Sequence, residues 1–160
     1  MPDTHIITTA SALSAALNAF NPKHFVLYSS DPALIAIAEQ SSAGQCIGPN
    51  PSPLNTDLPY AELAIVDADM ALASNGLTEL VARLRDVFAQ QVLVIAPTQT
   101  QPTFNHAGLI GLGFQRWTSP SAERPERRWY RFDINDYKTT PDWLNARHWA
   151  NPELWDQYRW

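Results

Sequence analysis

Two uninterrupted apolar runs dominate the hydropathy pattern of the chain between residues 62 and 97. The first run ends in two carboxylates, Asp67 and Asp69, and the second ends at Pro97. Between them, apolar residues recur at steps of three and four, which is the spacing of one helix face. These residues are Leu77, Leu80, Val81, Leu84, Val87 and Phe88. The pattern predicts a strand, a helix and a second strand, with both strands parallel and covered on two faces of a sheet.

The segment before this unit predicts a helix and two strands. A helical stripe runs through residues 11–20 and is stopped by Asn21 and the proline after it. Residues 24–28 have the composition of a strand, and residues 45–48, after the break at Gly44, form a weaker one.

A second helix is predicted between these two strands. Asp31 is placed as its N-cap and Pro32 as its first residue, where the missing N–H of proline costs nothing. We expect this helix to run to about Ser42 and to bury Leu34, Ile35 and Ala38. Four prolines between residues 49 and 59 predict a loop in place of the next helix.

After the central unit, residues 104–111 predict a short helix that ends at glycines. Residues 113–118 and 128–134 are strand-like. The connection between these strands is too short for a helical crossover, so we expect them to be antiparallel neighbours.

Residues 135–160 repeat one plan twice, with a capping residue, a proline, an acid and then aromatic residues. Each copy is a well-signalled helix start. Four of the six tryptophans of the chain lie in this segment. We expect residues 1–134 to form one α/β domain and residues 135–160 to be an aromatic extension packed on the same domain.

Charge narrows the classes of function. The net charge of −5 and the pI near 5.2 count against broad nucleic-acid binding, which requires cations to neutralise phosphates. Arginines nevertheless gather between residues 116 and 131, interleaved with aromatic residues. We interpret this stretch as a solvated hairpin whose arginines pair with Glu123, Glu126 and Asp133. Contact with an anionic partner is the alternative.

Cysteine and histidine usage gives little support to metal or redox chemistry. Cys46 is the single cysteine, so an intramolecular disulfide and a cysteine-based zinc cluster are excluded, and we expect it to be a small buried apolar residue. The four histidines have no H-x-x-x-H spacing, so no metal site is predicted. The start lacks a basic and apolar leader, and no apolar run approaches the ~20 residues of a membrane span. We expect a soluble cytoplasmic protein.

The order of the elements resembles the Rossmann-like fold of the S-adenosylmethionine-dependent methyltransferases. Two pieces carry the resemblance: Leu-Ile-Gly-Leu-Gly-Phe-Gln-Arg-Trp at residues 109–117, and Trp-Tyr-Arg-Phe at residues 129–132. They look like the ending of that fold, in which the last strand inserts antiparallel. The resemblance covers residues 11–134 and implies a three-layer α/β domain with a mostly parallel sheet. The Trp-rich tail in turn resembles that of a small bacterial family whose domain has no assigned function.

The sequence departs from the methyltransferase pattern at the cofactor site. The first crossover turn of that family needs glycine, because only glycine lets the backbone approach the adenosyl group closely. Here residues 28–32 read Tyr-Ser-Ser-Asp-Pro. The next strand lacks the terminal acid that would hold the ribose hydroxyls, and Asp31 is either a displaced substitute or simply the helix N-cap. We therefore expect no cofactor, with S-adenosylmethionine as the alternative.

A second resemblance is to the receiver domains of two-component signalling. It rests on residues 29–34, 63–67 and 92–98, and it would make Asp67 the phosphorylated aspartate and Thr98 the switch hydroxyl. Serines replace most of the acidic pair that holds magnesium in that family, and Ser119 lies where its lysine is required. We therefore do not expect phosphorelay chemistry. A sheet without an antiparallel last strand would favour this alternative.

Several polar side chains follow the predicted strands at the carboxyl edge of the sheet, where open α/β sheets bind ligands. The candidates for cofactor or ligand binding are Ser29, Ser30, Asp31, Asp67, Asp69 and Thr98. The alternative is that the carboxylates only cap the turns and helix that follow. The candidates for partner binding are Trp143, Trp149, Trp155 and Trp160, unless they pack over their own sheet.

Together these patterns predict a non-catalytic binding or regulatory module on a degenerate methyltransferase-like fold, with no catalytic residue assigned. Its partner would be a protein or a small molecule. A second copy of the chain, bound through the tail as a homodimer, is one such protein partner. Neither a membrane nor nucleic acid is expected as a partner. The alternatives are an active methyltransferase with a pocket remodelled around Ser29, Asp31 and Asp67, and a receiver-like pseudo-signalling domain.

Overall fold

The computed structural model describes residues 6–47, 58–70, 76–99, 101–102, 104–118 and 123–137. The strands are β1 (Ile6–Ile7), β2 (Phe25–Tyr28), β3 (Gly44–Ile47), β4 (Ala61–Asp67), β5 (Ala89–Ile95), β6 (Gln115–Trp117), β7 (Arg124–Pro125) and β8 (Trp129–Asp133). The α-helices are α1 (Thr9–Phe20), α2 (Pro32–Glu39), α3 (Gly76–Arg83), α4 (His106–Gly111) and α5 (Ile134–Tyr137). A π-helical turn, Leu84–Phe88, continues α3.

The main sheet has six strands in the order β3-β2-β4-β5-β8-β6. The first four strands in this order are parallel, whereas β8 lies antiparallel between β5 and β6. The prediction that the last two long strands are antiparallel neighbours is therefore confirmed. So is the Rossmann-like, methyltransferase-like fold class, because its last strand inserts antiparallel. The same insertion counts against the receiver alternative.

Helices cover both faces of the sheet, as continuous apolar strands require. On one face, α1 and α2 pack through Ala12, Leu13, Ala16, Leu34 and Ala38 against alternate residues of the strands, such as Leu27 and Ile65. On the other face, α3 and α4 pack against the intervening residues, which include Val26 and Val66. This alternation produces the three-layer arrangement.

The first two helices begin close to the predicted positions, and α1 also ends as predicted, at Phe20. Asn21 closes α1 in the left-handed conformation with φ of 42°, and Asp31 caps α2. The prediction that α2 runs to Ser42 was wrong, since it ends at Glu39. The chain must turn there to pair Gly44 with Phe25. A Cβ on Gly44 would lie 2.4 Å from the carbonyl oxygen of Ala38, so only glycine fits this close approach.

The central strand, helix and strand unit is confirmed, with one correction. Leu77, Leu80, Val81 and Leu84 are buried as predicted, but Val87 is 62% exposed. The π-helical turn adds a residue to the last turn and so rotates Val87 away from the sheet.

Further outcomes concern the remaining segments of the chain. β1 was not predicted, and it pairs in parallel with β7 as a separate two-stranded sheet. The helix predicted over residues 104–111 begins at His106, with Asn105 as its N-cap. The predicted loop at residues 49–57 and the predicted tail helices beyond residue 137 lie outside the described residues. Within the described part of the chain, no helix has the length and apolar character needed to cross a membrane.

Candidate functional site

The strand order places a topological switch point between β2 and β4. From β2 the chain moves outward to β3, whereas β4 and β5 extend the sheet in the opposite direction. Ligands of open α/β sheets bind in the crevice at the carboxyl ends of the two strands that flank such a point. Ser29 follows β2, and Asp67 ends β4. These two side chains therefore occupy the position at which a ligand is expected.

Ser29 and Asp67 bind each other across the switch point. The hydroxyl of Ser29 donates to Oδ2 of Asp67 at 2.9 Å, and the two residues are 1% and 2% exposed. The same Ser29 oxygen accepts from the backbone N–H of Asp31 at 3.0 Å. The Asp31 carboxylate accepts from the N–H of Ala33 at 2.9 Å, which confirms its role as the N-cap of α2. Ser30, the remaining candidate in this turn, is exposed.

Arg127 supplies the positive charge at the switch point. Its Nη2 donates to Oδ1 of Asp67 at 2.7 Å and lies 3.3 Å from Oδ2 of Asp69. Its Nε donates to the carbonyl oxygen of Ala96 at 2.8 Å. The Arg127 side chain is only 10% exposed, and that of Asp67 is 3% exposed. A largely buried ion pair thus closes the end of the sheet.

Asp69 and Thr98 complete the network. Oδ1 of Asp69 accepts from the backbone N–H of Thr98 at 2.9 Å and from its hydroxyl at 3.2 Å. The N–H of Asp69 in turn donates to Asp67 at 3.1 Å. The structure therefore brings five of the six predicted residues into one chain of contacts, linked through Arg127. The turn-capping interpretation holds for Asp67, whose carboxylate accepts from the N–H of Asp69 two residues on, whereas Asp69 instead binds Thr98 after β5.

Arg127 and Glu126 do not make the contacts within the hairpin that the sequence predicted. The arginines were expected to pair with acids of their own hairpin, and Arg131 does pair with Asp133 at 2.7 Å. Arg127 instead reaches back 60 residues to Asp67, and Glu126 accepts from the N–H and hydroxyl of Thr9, both at 2.7 Å. The sequence did indicate that Asp67 has a cationic partner, because an aspartate at the end of a buried strand needs a counter-charge. The antiparallel β8 begins at this same edge, just after Arg127.

A cavity of about 500 Å³ opens beside the network, between the end of β5, the start of β8 and the start of α4. Thr98, Arg127, Arg128, His106 and Tyr130 are among its lining residues. Nδ1 of His106 lies 2.8 Å from the hydroxyl of the buried Tyr130. The part of this edge that remains open therefore lies to the β5 side of the switch point.

The remaining chemical candidates do not form a further centre. Cys46 is partly buried against the α2 face, and burial together with the charge of Glu39 raises the pKa of its thiol. Its sulfur lies 3.8 Å from the carbonyl oxygen of Ile35. Among the described residues, no three His, Cys, Asp or Glu side chains are grouped as metal ligands. The predicted partner-binding residues Trp143, Trp149, Trp155 and Trp160 lie outside the described residues.

The fold and the site together define a Rossmann-like α/β domain of the methyltransferase-like kind, with an internal ion pair at its switch point. The chain belongs to the family described as "Family of unknown function (DUF6231)", whose model matches residues 7–160. That match includes the tail, so the resemblance of the tail to a family without assigned function is confirmed. A search among proteins of curated function found no match.

Two of the solved structures that are similar to the chain are methyltransferase domains. One is the methyltransferase domain of bacterial CtHen1-CN, with 11% sequence identity and a TM-score of 0.48 over 78% of this chain and 97% of that one. The other is the methyltransferase domain of bacterial CtHen1-C, with 10% identity and a TM-score of 0.46 over 78% of this chain and 96% of that one.

Proposed function

We propose that this protein is a non-catalytic binding module built on a methyltransferase-like domain. The observation that carries the proposal is the closed switch point, where the Asp67 carboxylate accepts from both the hydroxyl of Ser29 and the guanidinium of Arg127. These polar groups are buried and already hydrogen-bonded to one another. To contact a ligand they would have to break those bonds, and because they are buried, no bond to water would replace them. We infer that these bonds stabilise the packing of the strand ends and do not serve to bind a ligand.

The turn after β2 supports the same proposal. An adenosyl cofactor needs the backbone of this turn to approach closely, which side chains at residues 28–32 oppose. Ser29 directs its hydroxyl to Asp67, and Asp31 uses its carboxylate to cap α2. The residues present therefore do not fit S-adenosylmethionine at the usual position, and no chemical step is assigned to it.

A calorimetric titration with S-adenosylmethionine tests the proposal, with S-adenosylhomocysteine as a second ligand. We expect no saturable heat and no shift of the melting temperature at millimolar ligand. A ligand present at 100 times its Kd would add about 2.7 kcal/mol, or ~5–10 °C for a domain of this size. Saturable heat that is lost in Asp67→Asn would overturn the proposal, because it would place a functional adenosyl site at the switch point.

A further inference from the structure

A second cavity at the same edge of the sheet has a different lining. Its volume is about 480 Å³, and it lies over the end of β6 and the start of β8. β6 and β5 are both antiparallel to β8, so the end of β6 faces the edge at which β2, β4 and β5 also end. Thr118 lines this cavity directly after β6. The cavity therefore lies at the ligand-binding edge of the fold, on the β6 side of the switch point, and Arg127 contributes to its lining as well.

Three exposed arginines line this cleft: Arg116, Arg124 and Arg128. Within the described part of the chain, no acid forms an ion pair with any of the three. Two acids, Glu123 and Glu126, also line the cleft, and Oε1 of Glu126 accepts both hydrogen bonds from Thr9. The three exposed arginines outnumber these two acids. Guanidinium groups whose charges have no such pairing are suited to a ligand with several anionic oxygens.

Trp129 provides an independent observation at the same cleft. Its side chain is 1% exposed, and its indole N–H has no acceptor among the described residues. A buried donor left without an acceptor costs free energy, so such a group calls for an explanation. Trp129 lines the cleft together with Trp117, whose ring centroid lies 5.6 Å away. The cleft thus offers donors in excess of acceptors beside a pair of aromatic rings.

We propose that this cleft binds a small molecule through its phosphate group, held by Arg116, Arg124 and Arg128. The inference deepens the proposed binding function by naming the class of ligand. A phosphate group presents several acceptor oxygens and no obligatory donor, which complements the lining described above. A cleft of this volume accommodates a small metabolite.

The test is a titration of the full chain with pyrophosphate at a constant ionic strength of ~0.15 M, because salt screens exposed charges. We expect saturable binding to the wild type. We also expect Arg128→Gln and Arg124→Gln each to weaken it about tenfold, the loss that follows from one charge-assisted hydrogen bond of ~1.4 kcal/mol. Circular dichroism and melting curves check that both variants remain folded.

Lys23→Gln is the matched control, because it removes the same charge from an exposed residue before β2, at the opposite edge of the sheet. We expect it to leave the affinity for pyrophosphate unchanged. The proposal is overturned by the absence of saturable binding, by an equal loss in Lys23→Gln, or by equally tight binding of citrate. None of these outcomes bears on the adenosyl titration, so the two proposals fail separately.

Discussion

Asp67 and Arg127 are the two residues on which the account of the switch point depends. Both side chains are largely withdrawn from water, and each satisfies the other at 2.7 Å. A buried ion pair gains little over an apolar pair of the same shape, but removing one partner leaves an uncompensated charge. The pair is therefore a strong constraint on how the segment before β8 docks at the end of β4.

Replacing Arg127 by alanine tests this constraint. We expect Arg127→Ala to lower the free energy of unfolding by roughly 3–5 kcal/mol, because the Asp67 carboxylate stays buried without its counter-charge. Arg128→Ala is the control, since that exposed neighbour lacks an ion pair in the described chain, and a change within ~0.5 kcal/mol is expected. Urea unfolding measures both variants.

The double variant Asp67→Asn with Arg127→Ala separates the pair from its surroundings. Its free energy of unfolding should fall by less than the sum of the decreases in the two single variants, because the buried charge is removed together with its partner. An Arg127→Ala variant as stable as Arg128→Ala would contradict a structural role for the pair.

Tyr28 presents the opposite case, a buried polar group with no hydrogen-bond partner among the described residues. Tyr28 is 0% exposed, and burial raises the pKa of its phenol to about 12. The folded state retains the neutral phenol, whose ordinary pKa is 10. Stability that depends on the neutral form is therefore fully present below pH 10 and is lost as the pH rises through about 12.

We therefore expect Tyr28→Phe to raise the free energy of unfolding by about 1 kcal/mol at neutral pH, since it deletes a desolvated hydroxyl. The variant should also lose part of the decline in stability between pH ~10 and ~12. Thermal unfolding across this pH range measures both effects. A marked destabilisation by Tyr28→Phe would mean that the hydroxyl has a partner and that this interpretation of Tyr28 is wrong.

At the scale of elements, the periodic patterns predicted the helices and strands well because they record burial on one face or two. They failed where a local feature changed the geometry. The π-helical turn exposes Val87 although its spacing fits the stripe, and β1 is two residues long, which is too short to show a period. α2 ends at Glu39, earlier than composition indicated, because the chain must turn there to pair Gly44 with Phe25.

The link between β7 and α1 is an element-scale contact that the sequence did not reveal. Glu126 follows β7 and accepts two hydrogen bonds from Thr9, the first residue of α1. These bonds, followed by the charge of Arg127, lower the pKa of Glu126 below its ordinary value of 4.5. Because the folded state favours the ionised form, the stabilisation is present above that value and is lost as the pH falls through the lowered pKa.

Acid titration of stability tests this link. We expect the melting temperatures of wild type and Glu126→Gln to differ most near pH ~7 and to converge as the pH falls through the lowered pKa of Glu126. Protonation then removes the carboxylate charge from the wild type, as the substitution does at every pH. Melting temperatures of the two proteins across this range provide the measurement. A constant difference between them would show that the carboxylate charge does not stabilise the contact.

At the scale of the whole molecule, the sequence predicted the layers and the antiparallel last strand, and it placed most of the site. It could do so because strand order fixes which ends of the chain segments share an edge. It could not identify Arg127, since the choice among neighbouring arginines depends on the exact residue at which β8 enters the sheet. The sequence could not predict the cleft lined by Arg116, Arg124 and Arg128 for the same reason, because the cleft forms only when β6 and β8 are paired.

We propose that Arg127 closes the crevice in which this fold would otherwise hold an adenosyl cofactor. Nuclear magnetic resonance of the arginine side chains tests it most directly, with Arg127→Lys used to assign the Nε–H signal of Arg127. The account predicts a slowly exchanging signal, protected by the Ala96 carbonyl and unmoved by millimolar S-adenosylmethionine. A signal that exchanges as fast as those of exposed arginines, with ligand-induced shifts at Ser29 and Asp67, would contradict it.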